Sequence, residues 1–184
     1  MVQDERVVLH ADDIARALRR VAHEIVERNP DELPALVGIH RRGAVLAIRL
    51  RELLEEVTGE EIDSGDLDIG FYRDDLASRP QAPVLHSSHI DFDLSDATVV
   101  VVDDVLFTGR TVRAAIEGLF AYGRPRRVQL AVLVDRGHRE LPIRPDYVGK
   151  NLPTSLGERV NVRLAELDGA DEVTIDPAAA GVPA

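Results

Sequence analysis

The sequence contains no cysteine and no tryptophan, and it has one lysine, Lys150, among 22 basic residues. Without cysteine there are no disulfides, no thiolate metal sites and no cysteine nucleophile. No apolar run approaches the roughly 20 residues that a helix needs to cross a bilayer. The opening residues are polar and charged and lack the apolar core of a secretory signal, so the expectation is a soluble, cytoplasmic protein. The formal net charge of −11 argues, taken alone, for solubility and against a nucleic-acid partner. What is present is ordinary for a globular chain. Its 184 residues suit one domain that buries roughly 70% of its unfolded surface, and the apolar share excludes disorder for most of the length.

The charge is unevenly spread. From Arg124 to Lys150 there are seven basic residues against three acidic ones, while acidic residues gather elsewhere, partly from Glu158 onward. Lys150 has two readings. Either codon usage left one accidental lysine, or that position needs a compact ammonium, because lysine and arginine are not interchangeable.

Helical and strand patterns alternate along the chain. Asp12 or Asp13 can cap a helix that carries Ile14, Leu18, Val21, Ala22 and Ile25 at helical spacing. Asn29-Pro30 ends it near Arg28. Ala35 to Ile39 reads as a short strand, Gly43 to Glu56 as a second helix, and Leu67 to Tyr72 as a weak strand. Arg73 to His89 lacks apolar periodicity and is long enough to be a functional loop. Thr98 to Val102 is β-branched and continuous, as in a parallel strand buried on both faces. A helix from Thr111 to Tyr122 and a buried strand from Val128 to Val134 follow. Tyr147-Val148, Val160 to Leu164 and Val173 to Ile175 are weaker strand candidates. The alternation implies an α/β fold with a mostly parallel sheet flanked by helices. It forms one domain over residues 1–176, with a frayed tail from Pro177.

The strongest signal is VVVVDDVLFTGRT, Val99 to Thr111. A strand ends in two acids, and a small-residue loop then opens a helix. Ligands of open α/β sheets bind beyond the carboxyl ends of the strands. The unpaired N–H groups and positive dipole end of the helix start suit a phosphate. Gly109 allows close backbone approach and an unusual φ, and Thr108 and Thr111 add hydroxyl donors. Asp103 and Asp104 repel phosphate but can accept hydrogen bonds from a ribose diol and attract a cation. A diol acceptor beside a phosphate cradle describes a ribose 5-phosphate site. The alternative is an ordinary strand–turn–helix with two solvated acids. Neither GxxxxGK[ST] nor GxGxxG occurs.

These residues resemble the phosphoribosyl pyrophosphate (PRPP) fingerprint of the type I phosphoribosyltransferases. The resemblance implies a parallel sheet core, a small hood that holds the base and a flexible lid loop, here about residues 72–90. It implies that Asp103 and Asp104 bind the ribose hydroxyls, with Mg²⁺ held indirectly, and that Val105 and Thr108-Gly109-Arg110-Thr111 bind around the 5-phosphate. Arg42-Gly43 falls at the pyrophosphate loop, where an arginine fork suits phosphate oxygens. Tyr72 and Arg73 open the lid, with Arg73 set to neutralise the leaving pyrophosphate. The base is expected at Val134, Asp135 and Arg136. The implied reaction transfers ribose 5-phosphate from Mg²⁺–PRPP to a base, and no residue stands out as a general base.

Leu130 to Ser155, RRVAHEIVERN in the first helix and YRDDL in the lid are similar to a bifunctional branch of that family that attenuates pyrimidine operons. That similarity implies uracil as the base and UMP as product. It also implies homo-oligomers and binding of an mRNA hairpin when UMP or UTP is bound, which regulates transcription and its termination. It places RNA contacts at Arg19, His23, Arg139, Arg144 and Lys150, with Thr154 a weaker match. Each has a plainer reading: Arg139 can pair with Asp135 or Glu140, and His23 can make local polar contacts. His138, with no ligand partner at metal spacing, belongs to a shaped loop. Arg19 stands where that branch commonly has a small hydroxyl residue, and His40-Arg41 where it has Lys-Thr. The alternative function is a salvage phosphoribosyltransferase without RNA binding.

Overall fold

A computed structural model describes residues 5–70 and 88–177. The elements run β1 (Arg6–His10), α1 (Ala11–Arg28), β2 (Ala35–Ile39), α2 (Arg42–Thr58), β3 (Ser64–Leu67), β4 (Thr98–Leu106), α3 (Arg110–Leu119), β5 (Arg127–Asp135), β6 (Tyr147–Asn151), β7 (Arg159–Arg163), α4 (Ala165–Asp168) and β8 (Glu172–Asp176). None of these helices is long and apolar enough to cross a membrane.

A five-stranded sheet in the order β3-β2-β4-β5-β6 forms the centre, and all its pairings are parallel. The valine run of β4 is why that strand sits in the middle. Val100 and Val102 face one core with α1 and α2, while Val99 and Val101 face another with α3. A strand covered on both sides can be apolar without alternation. The second sheet, β1-β8-β7, is antiparallel. Its Leu9, Val160, Val162, Val173 and Ile175 join the α1–α2 core. This small sheet and the α4 turn make the hood.

The structure departs from the expected elements in several places. The N-cap of α1 is His10, and Asp13 instead accepts the His10 N–H at 3.0 Å from the third helical position, which satisfies a donor the helix start would leave unpaired. Of the expected strand at Leu67 to Tyr72, only Leu67 is in a strand among the described residues: β3 spans Ser64–Leu67, with its register set by parallel pairing to Leu36–Ile39. Strand β1 was not expected at all. Of the long loop, residues 71–87 lie outside the described residues, and so does the tail from 178. His89 forms a two-bond antiparallel bridge with Asp66.

At the C-terminal end of α1, a buried polar cluster ties helix to sheet. The Tyr147 hydroxyl donates to Gln129 Oε1 at 3.1 Å, and Asn29 Nδ2 donates to the Tyr147 oxygen at 3.1 Å and to Ile25 O at 2.8 Å. Further up α1, Arg20 donates to the carbonyls of Val148 and Gly149 at 2.9 and 2.7 Å. Helix α1 is thereby fixed along β6.

Candidate active site

The carboxyl ends of β2, β4 and β5 bring the expected site residues to one edge of the sheet. Strand β4 runs on past its valines, so Asp103 and Asp104 remain in the ladder, with Asp103 opposite Val132 of β5. Asp103 is buried and Asp104 half-buried. The Asp103 carboxylate accepts the Asp104 N–H at 2.9 Å, and Asp104 Oδ1 accepts the Val105 N–H at 2.8 Å. Each acid is thus oriented by the main chain that follows it. Val105 pairs with Val134.

The loop after β4 turns into α3 at Gly109, the N-cap, with φ of 92°. That value is in the left-handed region, where glycine is favoured. A side chain would also come within 3.3 Å of Ile143 Cδ1. Thr108 braces the loop from both ends. Its carbonyl accepts the N–H groups of Glu140 and Leu141 at 3.0 and 3.1 Å, and its hydroxyl oxygen accepts the Arg110 N–H at 3.3 Å. The Arg110 side chain turns outward to Glu140, Nε to Oε2 at 2.7 Å. The first turn of α3, with Thr111, and the Thr108 turn before it lie directly beyond the acid pair.

The loop from β2 to α2 meets the same edge. Its His40–Arg41 peptide is cis. Gly43 packs against β4 so closely that an added Cβ would stand 2.4 Å from Val102 O and 3.2 Å from Asp103 Cα. This glycine is packed against the strand that carries the acids. Beside it, Arg42 donates from Nη2 to both oxygens of Asp168 in the hood, at 2.8 and 3.1 Å. Its Nε is buried and lacks a partner among the described residues. Tyr72 and Arg73 lie outside the described residues.

At the expected base end, β5 is heavily engaged. Val134 is wholly buried in the core. Asp135 accepts the Gly137 N–H at 2.9 Å and pairs with Arg139 at 2.5 Å. Arg136, missed as a structural residue, is buried with its guanidinium 4.1 Å above the Phe107 ring centroid. It donates to Thr154 Oγ1 at 3.1 Å and Ser155 O at 2.9 Å. Burial pushes its pKa down from the ordinary arginine value. His138 stands edge-on to Phe107 and reaches Thr154 O at 2.5 Å. That oxygen only accepts, so the ring nitrogen Nε2 is the donor. His138 thus belongs to a shaped loop.

The cations expected to meet RNA divide into groups. Lys150, Arg16 and Arg20 line one groove between α1 and β6. Among the described residues no hydrogen bond or ion pair engages the side chains of Lys150, Arg144 or His23, all of which are exposed. Arg139 is folded inward, donating to Asp135, Phe107 O and Ile143 O, so the ion-pair reading with Asp135 holds in this structure. Thr154 is bound to Arg136. Arg19 faces α2 and Glu56 at 3.4 Å. Arg20, a cation of the groove, was not singled out from the sequence.

This parallel α/β sheet, with paired acids near the end of its central strand and a glycine turn at the next helix start, has the fold of a phosphoribosyltransferase. The phosphoribosyl transferase domain family matches residues 7–164, and the chain belongs to that family. Within it the chain belongs with the bifunctional PyrR proteins. It is 60% identical to the "Bifunctional protein PyrR" of Roseiflexus sp. strain RS-1, over 90% of this chain and 91% of that one. It is 54% identical to the protein of that name from Deinococcus radiodurans, over 96% and 98%. Among solved structures, the hypoxanthine phosphoribosyl transferase of Trypanosoma cruzi superposes with a TM-score of 0.72 at 18% identity, over 94% of this chain and 91% of that one. The last likeness bears on the fold alone.

Proposed function

We propose that the protein is a uracil phosphoribosyltransferase, converting uracil and PRPP to UMP and pyrophosphate, that also regulates pyrimidine genes by binding mRNA when a uridine nucleotide is bound. One observation carries the catalytic reading: Asp103 and Asp104 stand near the end of β4, and the chain then passes through the Gly109 turn into the start of α3. The acids accept from the ribose diol, and the helix start holds the 5-phosphate. Arg42 takes the pyrophosphate end. The base stands at the end of β5, around Val134, Asp135 and Arg136.

The reaction displaces pyrophosphate at the anomeric carbon through a transition state with oxocarbenium character. Catalysis then rests on orientation and on stabilising charge that builds on the leaving group. Among the described residues no group of three or more His, Asp or Glu side chains could hold a metal ion. Mg²⁺ would arrive with PRPP, and Asp103 and Asp104 are the acids that would hold it indirectly while it offsets charge on the pyrophosphate. Asp104→Asn keeps the shape and removes the charge. Turnover should fall at least about 100-fold, on the scale of losing one preorganised charge contact, with the melting temperature unchanged. Unaltered turnover would remove Asp104 from the ribose site.

The RNA reading rests on the α1–β6 groove, where Lys150, Arg16 and Arg20 gather on a chain whose net charge is negative. Clustered cations answer a phosphate backbone. Arg144 and His23 are exposed candidates for the same partner. We further take the protein to be cytoplasmic and homo-oligomeric, as the family reading implies.

A further inference from the structure

Helix α2 grips the hood at two places. Arg49 holds Glu166 with Nε and Nη2 at 2.8 and 2.5 Å, and Asp171 with Nη1 and Nη2 at 2.9 and 2.7 Å. Two turns nearer the helix start, Arg42 holds both oxygens of Asp168. Residues seven apart lie on one helical face, so the same face of α2 makes both contacts. The two grips differ in kind. The Arg49 side chain is 18% exposed and has two carboxylates. Arg42 is 36% exposed, has a single carboxylate and keeps a buried Nε without a partner among the described residues. It also neighbours Gly43, which touches the backbone of Asp103.

We propose that Asp168 is a positioning residue that stands in for pyrophosphate on Arg42: it occupies Nη2 of Arg42 in the free protein and yields it when PRPP binds. The proposal rests on the reading of Arg42 as a pyrophosphate ligand. A carboxylate presenting two oxygens to one guanidinium nitrogen imitates one edge of a phosphate. The Leu164 N–H first, and Arg42 after it, hold the Asp168 carboxyl below its ordinary value, so it is an anion at neutral pH. Arg49 keeps the hood attached when Arg42 leaves. Because α4 connects β7 to β8, release of Asp168 frees one of the two arginine contacts that α2 makes with the hood as PRPP arrives. Binding of PRPP is thereby coupled to the part of the molecule that the family reading assigns to the base.

The test compares Asp168→Asn with the parent chain. The amide oxygen of the variant side chain can still accept the Leu164 N–H, which Asp168 Oδ2 accepts at 2.9 Å, so the turn is kept while the competing charge is lost. The KM for PRPP and the inhibition constant of pyrophosphate should both fall, by about two- to fivefold, the scale of a partly exposed ion pair. The kcat should change little, and Asp168→Glu should restore the higher KM. A merely structural role predicts the opposite sign, a raised KM. Unchanged or raised KM and pyrophosphate inhibition in Asp168→Asn overturn the proposal. Arg42→Ala separates the two layers: if it leaves PRPP affinity intact, the reading of Arg42 fails. If it weakens PRPP while Asp168→Asn has no effect, only the role of Asp168 fails.

Discussion

Gly43→Ala adds a single methyl group at the most crowded point between helix and site. The added carbon would meet Val102 O at 2.4 Å and Asp103 Cα at 3.2 Å. Both atoms belong to the backbone of the central strand, so no side chain can rotate away. Ordinary contact requires the start of α2 to retreat by roughly 1 Å. Overpacking of this kind costs about 1–3 kcal/mol. Replacing glycine in a helix returns up to about 1 kcal/mol, less in the first turn. The net loss is then about 1–2 kcal/mol, which lowers the melting temperature of a domain this size by about 3–6 °C. The functional effect should be larger than the thermal one. The same retreat separates Arg42 from the Asp103–Asp104 pair, and a misplacement of 1 Å can cost about 100-fold in rate. Thermal unfolding and steady-state kinetics on one preparation check both. An unchanged melting temperature together with an unchanged KM for PRPP would refute the packing argument.

Two further outcomes follow from the same geometry. Arg49→Met should destabilise the protein by about 2–3 kcal/mol at pH 7, because two charge-assisted forks are lost and Asp171 is left partly buried. Hydrogen bonds from Arg49 hold Glu166 and Asp171 below their ordinary carboxylate values. Groups lowered on folding contribute stability above their unfolded pKa and lose it as pH falls through the folded value. The gap in melting temperature between parent and variant should therefore shrink as pH falls from 5 toward 3, and a gap that widens would contradict the assignment. Lys150→Gln should weaken RNA binding and flatten its salt dependence by about one counterion, with turnover unchanged. Equal loss of both would point to a folding role for Lys150.

Local pattern made much of the central sheet legible. Strand β2 spans Ala35–Ile39, as its apolar run implied, and the valines of β4 and β5 announced strands buried on both faces. The acid pair and the Gly109 turn were visible because they lie close together in one short stretch of sequence. What escaped notice depends on partners far along the chain. Strand β1 is mostly exposed and exists because it pairs with β8. The sequence of β3, Ser-Gly-Asp-Leu, is poor strand material, and its position follows from pairing with β2, so tertiary context overrides propensity. The hood clamps of Arg42 and Arg49 join residues more than a hundred positions apart. Nothing local distinguishes those arginines from solvated ones. The same holds for Arg136, whose burial on Phe107 is a consequence of the turn after β5. Arg139 was open to two readings, and proximity to Asp135 decides its conformation here. Tyr72 and Arg73 of the expected lid lie outside the described residues and stay proposals.

The most direct measurement of the central claim is nucleotide formation from PRPP and Mg²⁺ with uracil, cytosine, hypoxanthine, guanine and adenine supplied in turn. Selective, sustained production of UMP is the expected result. Turnover confined to a purine would contradict the uracil assignment and, with it, the pyrimidine-regulatory reading. No turnover with any base by a folded protein that still binds UMP would contradict the claim that the site is catalytic.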